Sequence, residues 1–130
     1  MTSIQTAIID LMTAHPTLSS AGLHFRCRDE NWNDREYLKT CRDQMLTDRF
    51  LKGVSLCEVY IRQKGIKRGH SSYWYKHEVE NANERTYIYN GAFIVAALIC
   101  GYVPVLHDSP NPSFRKPPKP RPATAREVSK

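Results

Sequence analysis

The sequence predicts a mainly α-helical fold: a single small domain of about five helices, residues 1–107, followed by a disordered, basic, proline-rich tail, residues 108–130. A chain of 130 residues leaves room for one core. Apolar residues recur at helical spacing over most of the predicted domain. After His107 five prolines fall between residues 110 and 120, and few apolar side chains remain to offset the entropy of the chain.

The first helix is predicted over residues 3–14. Apolar side chains recur there every three or four residues, and Thr2 or Ser3 can cap the start. Residues 16–33 have no sustained periodicity, so we expect them to be mostly irregular. Only residues 23–27 alternate apolar and polar side chains, which indicates one short strand.

Two further helices are predicted in the next thirty or so residues. An apolar stripe from Asp34 to about Phe50 predicts the second helix. A shorter stripe over residues 54–63, closed by Gly65, predicts the third. Gly53 lies between the two stripes, so we expect the helices to be continuous or kinked at that glycine.

A fourth helix is predicted over residues 72–84. It begins with three consecutive aromatic residues, Tyr73, Trp74 and Tyr75. Consecutive residues are turned by about 100° around a helix, so these rings cannot share one face. We expect one or two of them to anchor the helix to the core and the remainder to be exposed.

The segment that follows is open to two interpretations. Asn90 and Gly91 between two apolar runs are typical of a tight hairpin, which predicts two strands over residues 86–95. However, residues 92–100 contain three alanines and no polar alternation, which favours a helix buried on all sides. In that preferred interpretation Asn90 is the N-cap and Gly101 ends the helix.

Charge is unevenly distributed along the chain. The formal net charge is +6 with a pI near 9.3, yet residues 109–130 alone hold six cations and one acid. Between Cys57 and Glu78 the only carboxylate is Glu58. This composition indicates an acidic partner, and the basic stretch of the domain is its most specific signal.

The basic stretch predicts a nucleic-acid interface, on DNA or RNA. Four cations are expected to contact phosphates: Lys64, Lys67, Arg68 and Lys76. Three residues are expected to form an anion site at the helix start: His70, Ser71 and Ser72. Tyr73 or Trp74 is expected to stack on a base or lie against the backbone. The tail is expected to add sequence-independent contacts through Arg115, Lys116, Lys119 and Arg121.

No motif for catalysis or metal binding is complete. Glycine loops for phosphates, a nucleophile elbow and a dinucleotide fingerprint are all missing from the sequence. His77 and Glu78 begin like a zinc-protease pair, but Asn81 stands where the second histidine belongs. His24 and Cys27 are three residues apart, and no second pair of ligands follows. We therefore predict no catalytic residue, no metal and no cofactor.

The cysteines and the apolar runs bear on location. The four cysteines have spacings that suit neither a zinc site nor a disulfide framework, which predicts reduced and mostly buried thiols. The longest apolar run, residues 92–105, is too short to cross a bilayer and is broken by Gly101 and Pro104. The N-terminus lacks the basic start of a signal peptide. These features predict a cytoplasmic protein with no membrane partner.

The stretch of residues 70–102 resembles a group of small proteins carried by phages, plasmids and integrative elements. Their shared pattern is SSY, two residues, KH, two residues and E, then a tyrosine, NG and an alanine-rich apolar run. It is matched here by Ser71, Ser72, Tyr73, Lys76, His77, Glu80, Tyr87 or Tyr89, Asn90, Gly91, Ala96 and Ala97. The resemblance covers about a quarter of the chain and implies a mobile-element origin and a helical C-terminal half. It supplies no activity.

Two alternatives to nucleic-acid binding stay open. Mobile elements encode small inhibitors of host defence complexes, including anti-CRISPR proteins, and a basic inhibitor can occupy the surface of a host nucleoprotein complex. An enzyme is the other alternative, with His70, His77 and an acid such as Glu78 or Glu80 converging in a pocket. The sequence does not predict an oligomeric state.

Overall fold

The computed structural model describes residues 2–23, 32–107 and 109–117, with the side chains of residues 32–35 not described. Within these ranges the chain forms a small helical domain, as predicted. Five α-helices make up most of it: α1 (Ser3–Ala14), α2 (Trp32–Asp43), α3 (Asp48–Lys64), α4 (Ser72–Ala82) and α5 (Asn90–Ile99). Two short antiparallel hairpins accompany them: β1 (Leu18–Ser19) with β2 (Gly22–Leu23), and β3 (Val103–His107) with β4 (Ser109–Arg115).

Helix α5 is the centre of the core. Every residue from Asn90 to Ala97 is buried, and the helix packs against α3, α4, α1 and β2. The prediction of a helix buried on all sides is confirmed, and the hairpin over residues 86–95 is wrong. The Gly91 amide donates to the Ser20 carbonyl oxygen at 2.9 Å. The Asn-Gly pair therefore lies where the start of α5 closely approaches the β1–β2 turn, and not in a hairpin.

Asn90 is not the N-cap of α5. Tyr89 occupies that position and no side chain caps the helix. The Asn90 amide nitrogen instead lies 2.8 Å from Asn111 Oδ1, 3.0 Å from the Ala21 carbonyl oxygen and 3.3 Å from that of Pro110. Its Oδ1 accepts from the Ser72 hydroxyl at 2.8 Å. The buried Asn90 amide is fully hydrogen-bonded and joins the β1–β2 turn and β4 to the central helix.

The break between the second and third helices differs from the prediction. After α2 the chain makes a 3-10 turn, Gln44–Leu46, and α3 begins behind Thr47, whose hydroxyl accepts from the Phe50 amide. Gly53, the predicted kink, lies inside α3. A Cβ built on it would lie 3.4 Å from Ala92 Cβ, so the glycine lets α3 approach α5 closely.

The predicted helix ends at three other positions are confirmed. Thr2 caps α1 in a capping box with Gln5, and Ser71 caps α4. Gly65 ends α3 with a φ of 71°, a conformation that glycine adopts without strain.

The start of the predicted tail is folded. Ser109–Arg115 pairs with Val103–His107, so the boundary at residue 108 is wrong for this segment. Phe114, only 4% exposed, packs edge-on against Phe93 of α5 at 5.9 Å, and Pro112 is buried two residues earlier. The buried Phe114 ring and the hydrogen bonds of the strand pair hold this segment in place, although it contains few apolar residues. Its prolines are tolerated because an edge strand leaves alternate backbone amides unpaired.

Several predictions lie outside the described residues. The short strand predicted over residues 23–27 is described only at Leu23, within β2. His24 and Cys27 are not described, nor are the tail cations Lys119 and Arg121.

The described cysteines are free thiols, as predicted. Cys41 and Cys57 are buried and Cys100 is partly buried. Burial raises the pKa of the Cys57 thiol far above its usual value, which keeps it protonated and unreactive. Within the described ranges, no helix combines the length and apolar character that a membrane span requires.

Candidate nucleic-acid interface

The segment between α3 and α4 is a fixed loop, held to the domain by two tyrosine hydroxyls. The Ile66 amide donates to the Tyr102 hydroxyl at 3.2 Å, while the Ile66 side chain is buried. The Tyr75 hydroxyl accepts from the Lys67 amide at 2.6 Å and donates to the Lys67 carbonyl oxygen at 3.1 Å. Gly69, with a φ of 94°, then turns the chain towards α4. The loop therefore presents its side chains from a defined backbone.

Three of the predicted cations are exposed on this loop or beside it: Lys64, Lys67 and Arg68. Lys64 Nζ lies 5.3 Å from the centre of the Tyr60 ring, a cation–π contact that positions the ammonium group. Among the described residues, no carboxylate lies within salt-bridge distance of any of the three. Their charge is thus available to an anionic ligand.

The three consecutive aromatic residues divide as their helical spacing requires. Tyr75 is 3% exposed and stacks on Phe93 of α5 at 5.1 Å, so it anchors α4 to the core. Tyr73 and Trp74 are 49% and 41% exposed. The two rings predicted to contact nucleic acid are therefore both at the surface.

Each exposed ring is paired with a histidine. His70 stacks on Trp74 with ring centres 3.8 Å apart and planes 13° apart. His77 meets Tyr73 edge-on at 4.5 Å. These contacts restrict the rotamers of both aromatic side chains, so a ligand that stacks on them does not have to order them first.

Two predicted contacts are removed by burial. Lys76 is 6% exposed: its Nζ lies 2.8 Å from Glu80 Oε2 and 4.7 Å from the centre of the Tyr87 ring. Ser72 is fully buried and donates to Asn90 Oδ1 at 2.8 Å. Both side chains lie on the core face of α4 and hold the fold, so the prediction that they contact a ligand is wrong.

The predicted anion site at the start of α4 is also incomplete. The Ser71 hydroxyl oxygen accepts from the Trp74 amide at 3.4 Å, which satisfies one of the amides that a phosphate would use. Ser72 is buried and Ser71 caps the helix. Of the three predicted residues, only His70 is therefore left to contact a ligand with its side chain. The groups that this surface offers to an anion are therefore cationic side chains and rings, and the helix terminus is largely occupied by its own cap.

One acid borders the surface. The Glu78 carboxylate acts on both tyrosines beneath the loop: after burial, it is among the influences that raise the pKa of Tyr60 and of Tyr75. It lies one helical turn after Trp74. The sequence placed Glu78 at the end of the basic stretch and offered it as an acid of the enzyme alternative, but did not indicate its effect on the tyrosines beneath the loop.

The end of β4 lies on the same side as the loop. Arg115 is the strand partner of Val103, and the preceding residue, Tyr102, reaches the Ile66 amide. Arg115 and Lys116 are exposed. Two of the predicted tail contacts are therefore exposed, at the end of the strand that pairs next to Tyr102.

The residues of the enzyme hypothesis are distributed over separate contacts. His77 Nδ1 lies 3.0 Å from Glu80 Oε1, and Glu80 is also bound by Lys76 and by the Ile88 amide at 2.9 Å. The ring contacts of His70 are with Trp74 and Tyr75. The Glu80 carboxylate therefore fixes the position of the chain that follows α4. The two imidazoles have different neighbours, so these contacts do not bring the residues of the enzyme hypothesis together.

Across residues 2–23, 32–107 and 109–117, no three His, Cys, Asp or Glu side chains are grouped as a metal ion requires.

Comparisons with models of protein families, with curated protein sequences and with solved structures each return no match. What the surface can bind therefore follows from its own side chains, which are cations, a histidine and exposed aromatic rings.

Proposed function

We propose that this chain is a non-enzymatic accessory protein of a mobile element and that it binds nucleic acid through the loop between α3 and α4. Lys64, Lys67 and Arg68 contact backbone phosphates. Arg115 and Lys116 extend the positive surface towards the tail. The free thiols support a cytoplasmic location.

The observation that carries the proposal is the pair of exposed cations at Lys67 and Arg68. Their backbone is fixed by the hydroxyl of Tyr75, and no described carboxylate neutralises them. Because the backbone of the loop is already fixed, a phosphate that binds has to order only the side chains and not the loop itself. The cations also release counterions from the nucleic acid, which is the main source of affinity for a phosphate backbone.

The proposal predicts that Lys67→Glu combined with Arg68→Glu will lower affinity for a labelled oligonucleotide at least tenfold. The affinity of the unchanged protein should fall steeply as salt rises, because each phosphate contact contributes about 0.7–0.9 to the slope of log affinity against log salt. The charge variant should have a slope smaller by about two. Fluorescence anisotropy over a salt series measures both quantities.

A matched control separates the site from the overall charge. Lys39→Glu combined with Lys52→Glu changes the net charge equally, at two exposed positions on α2 and α3. The control should retain most of the affinity. Equal losses in both variants, or binding that does not depend on salt, would contradict the proposed site. If a host protein instead co-purifies in stoichiometric amount after nuclease treatment, the defence-inhibitor alternative is supported.

The acid that borders the surface gives a prediction of opposite sign. Glu78→Gln should increase affinity by about two- to fivefold, because it removes the repulsion between this carboxylate and phosphates bound at the neighbouring loop. Glu36→Gln on α2 is the matched control, with the same change of charge at an exposed position. An unchanged affinity for the Glu78 variant would mean that the ligand does not extend over this turn of α4.

A further inference from the structure

Two aromatic rings are exposed on neighbouring faces of α4, and Trp74 is the one that packs on the loop, through His70. Tyr73 and Trp74 are about half exposed, and His70 and His77 pack on them. A soluble helix normally places charged side chains on such a face. Two large exposed rings at consecutive positions, each supported by a histidine, therefore need a ligand or a function to explain them.

The loop that carries the cations is joined to the Trp74 ring by packing. His70, two residues after Arg68, stacks on Trp74 at 3.8 Å, and the buried Tyr75 ring connects the two groups from beneath. Tyr75 meets Trp74 edge-on at 4.9 Å. The Lys67 backbone is bound to the far end of the same Tyr75 ring. A ligand that places phosphates at the loop therefore has its neighbouring groups next to Trp74.

We propose that the ligand of this surface is single-stranded nucleic acid, with unpaired bases stacked on the Trp74–His70 pair and on Tyr73 and with phosphates at Lys67 and Arg68. This inference rests on the proposed function and specifies its substrate class. In a duplex the faces of the bases are stacked on one another and cannot reach an exposed ring. A single strand offers a base face and a phosphate at each nucleotide, which matches a site where exposed rings lie next to free cations.

The selectivity follows from what each half of the surface contributes. The cations act on any phosphate backbone, so they give affinity for both duplex and single strand. The rings act only on unpaired bases, and each stacked base typically strengthens binding by tenfold or more. The His70–Trp74 pair is already stacked, so the platform exists before the ligand arrives.

The test compares two labelled ligands at about 0.15 M salt: a thymidine homopolymer of about 15 nucleotides and a duplex of the same length. Trp74→Leu keeps an apolar side chain of similar reach but removes the ring. It should weaken single-strand binding about tenfold and change duplex binding less than twofold. Trp74→Phe retains a ring and should recover most of the single-strand affinity. Tyr37→Leu is the control, since Tyr37 is an exposed ring on α2.

Each result bears on one of the two proposals. If the duplex binds as tightly as the single strand, or if Trp74→Leu weakens both equally, the single-strand inference is wrong and phosphate binding stands. If neither ligand binds, or if the charge variant of the loop leaves both affinities unchanged, the proposed function fails and the inference fails with it. Circular dichroism of Trp74→Leu checks that the helical fold is retained.

Discussion

Replacing Gly91 with alanine is expected to destabilise the protein by at least about 3 kcal/mol, a large part of the stability of a typical small domain. A Cβ at this position would overlap the Ser19 carbonyl oxygen and lie 2.9 Å from Ser20 Cα. Both neighbours are backbone atoms, so neither can rotate away. Relief requires α5 to move off the β1–β2 turn, which would break the bond from the Gly91 amide to the Ser20 carbonyl.

Gly53→Ala is the matched control, because it is also a glycine within a helix at the contact with α5. The new Cβ would lie 3.4 Å from Ala92 Cβ, a tight but allowed distance. Alanine also favours a helix by up to about 1 kcal/mol over glycine. We expect the control to be within about 1 kcal/mol of the unchanged protein. Urea unfolding monitored by circular dichroism measures both, and a Gly91→Ala midpoint equal to that of the control would contradict the close approach.

The same glycine shows why the sequence left two interpretations of this segment. Asn followed by Gly is favoured in a tight turn because both tolerate positive φ, and it is equally suitable where a helix must approach another backbone. Only the alanine-rich run that follows distinguished the two. The partners of the Asn90 amide lie up to 69 residues away in sequence, so no local pattern could reveal them.

The sequence predicted which charged and aromatic residues form the candidate site, but not which of them are buried. Helical spacing correctly required Tyr73, Trp74 and Tyr75 to diverge, yet it could not say which ring faces in. Lys76 and Glu80 are four residues apart, so their ion pair was readable from the sequence. Its burial was not, because it depends on the chain after α4, where Tyr87 covers the lysine and Ile88 binds the glutamate.

The boundary at residue 108 failed for a related reason. Composition correctly indicates that a segment with few apolar residues cannot form a core of its own. It does not indicate whether an existing core can accept a single side chain. Phe114 enters such a place beside Phe93, and strand pairing with Val103–His107 satisfies the backbone.

The second large effect is expected at the buried ion pair of α4. Glu80→Gln should lower stability by about 3 kcal/mol, because it leaves the Lys76 ammonium buried without a counter-charge. The control is His77→Ala, which also removes a contact with Glu80 but from an exposed side chain. We expect it to cost less than about 1 kcal/mol. A Glu80→Gln variant as stable as this control would mean that the pair contributes little.

The effect of Glu80→Gln should also depend on pH. Burial alone raises the pKa of Glu80, but the hydrogen bonds from Lys76 and the Ile88 amide outweigh burial and hold the pKa below its usual value. A carboxylate with a lower pKa in the folded state stabilises the fold above its unfolded pKa, about 4.3. That stabilisation is lost as pH falls through the folded value. The difference between the unchanged protein and the variant should therefore shrink in acid, and a constant difference would contradict the assignment.

A charge-neutral pair of changes separates this ion pair from nucleic-acid binding. Lys76→Met with Glu80→Gln removes one cation and one acid, so the net charge is unchanged, and it leaves no buried charge behind. The double variant should be more stable than Glu80→Gln alone, because the uncompensated ammonium is gone. Its affinity for an oligonucleotide should equal that of the unchanged protein, since Lys76 is buried, whereas Lys67→Glu with Arg68→Glu lowers it. A loss of affinity in the folded double variant would mean that Lys76 contacts the ligand, as the sequence predicts.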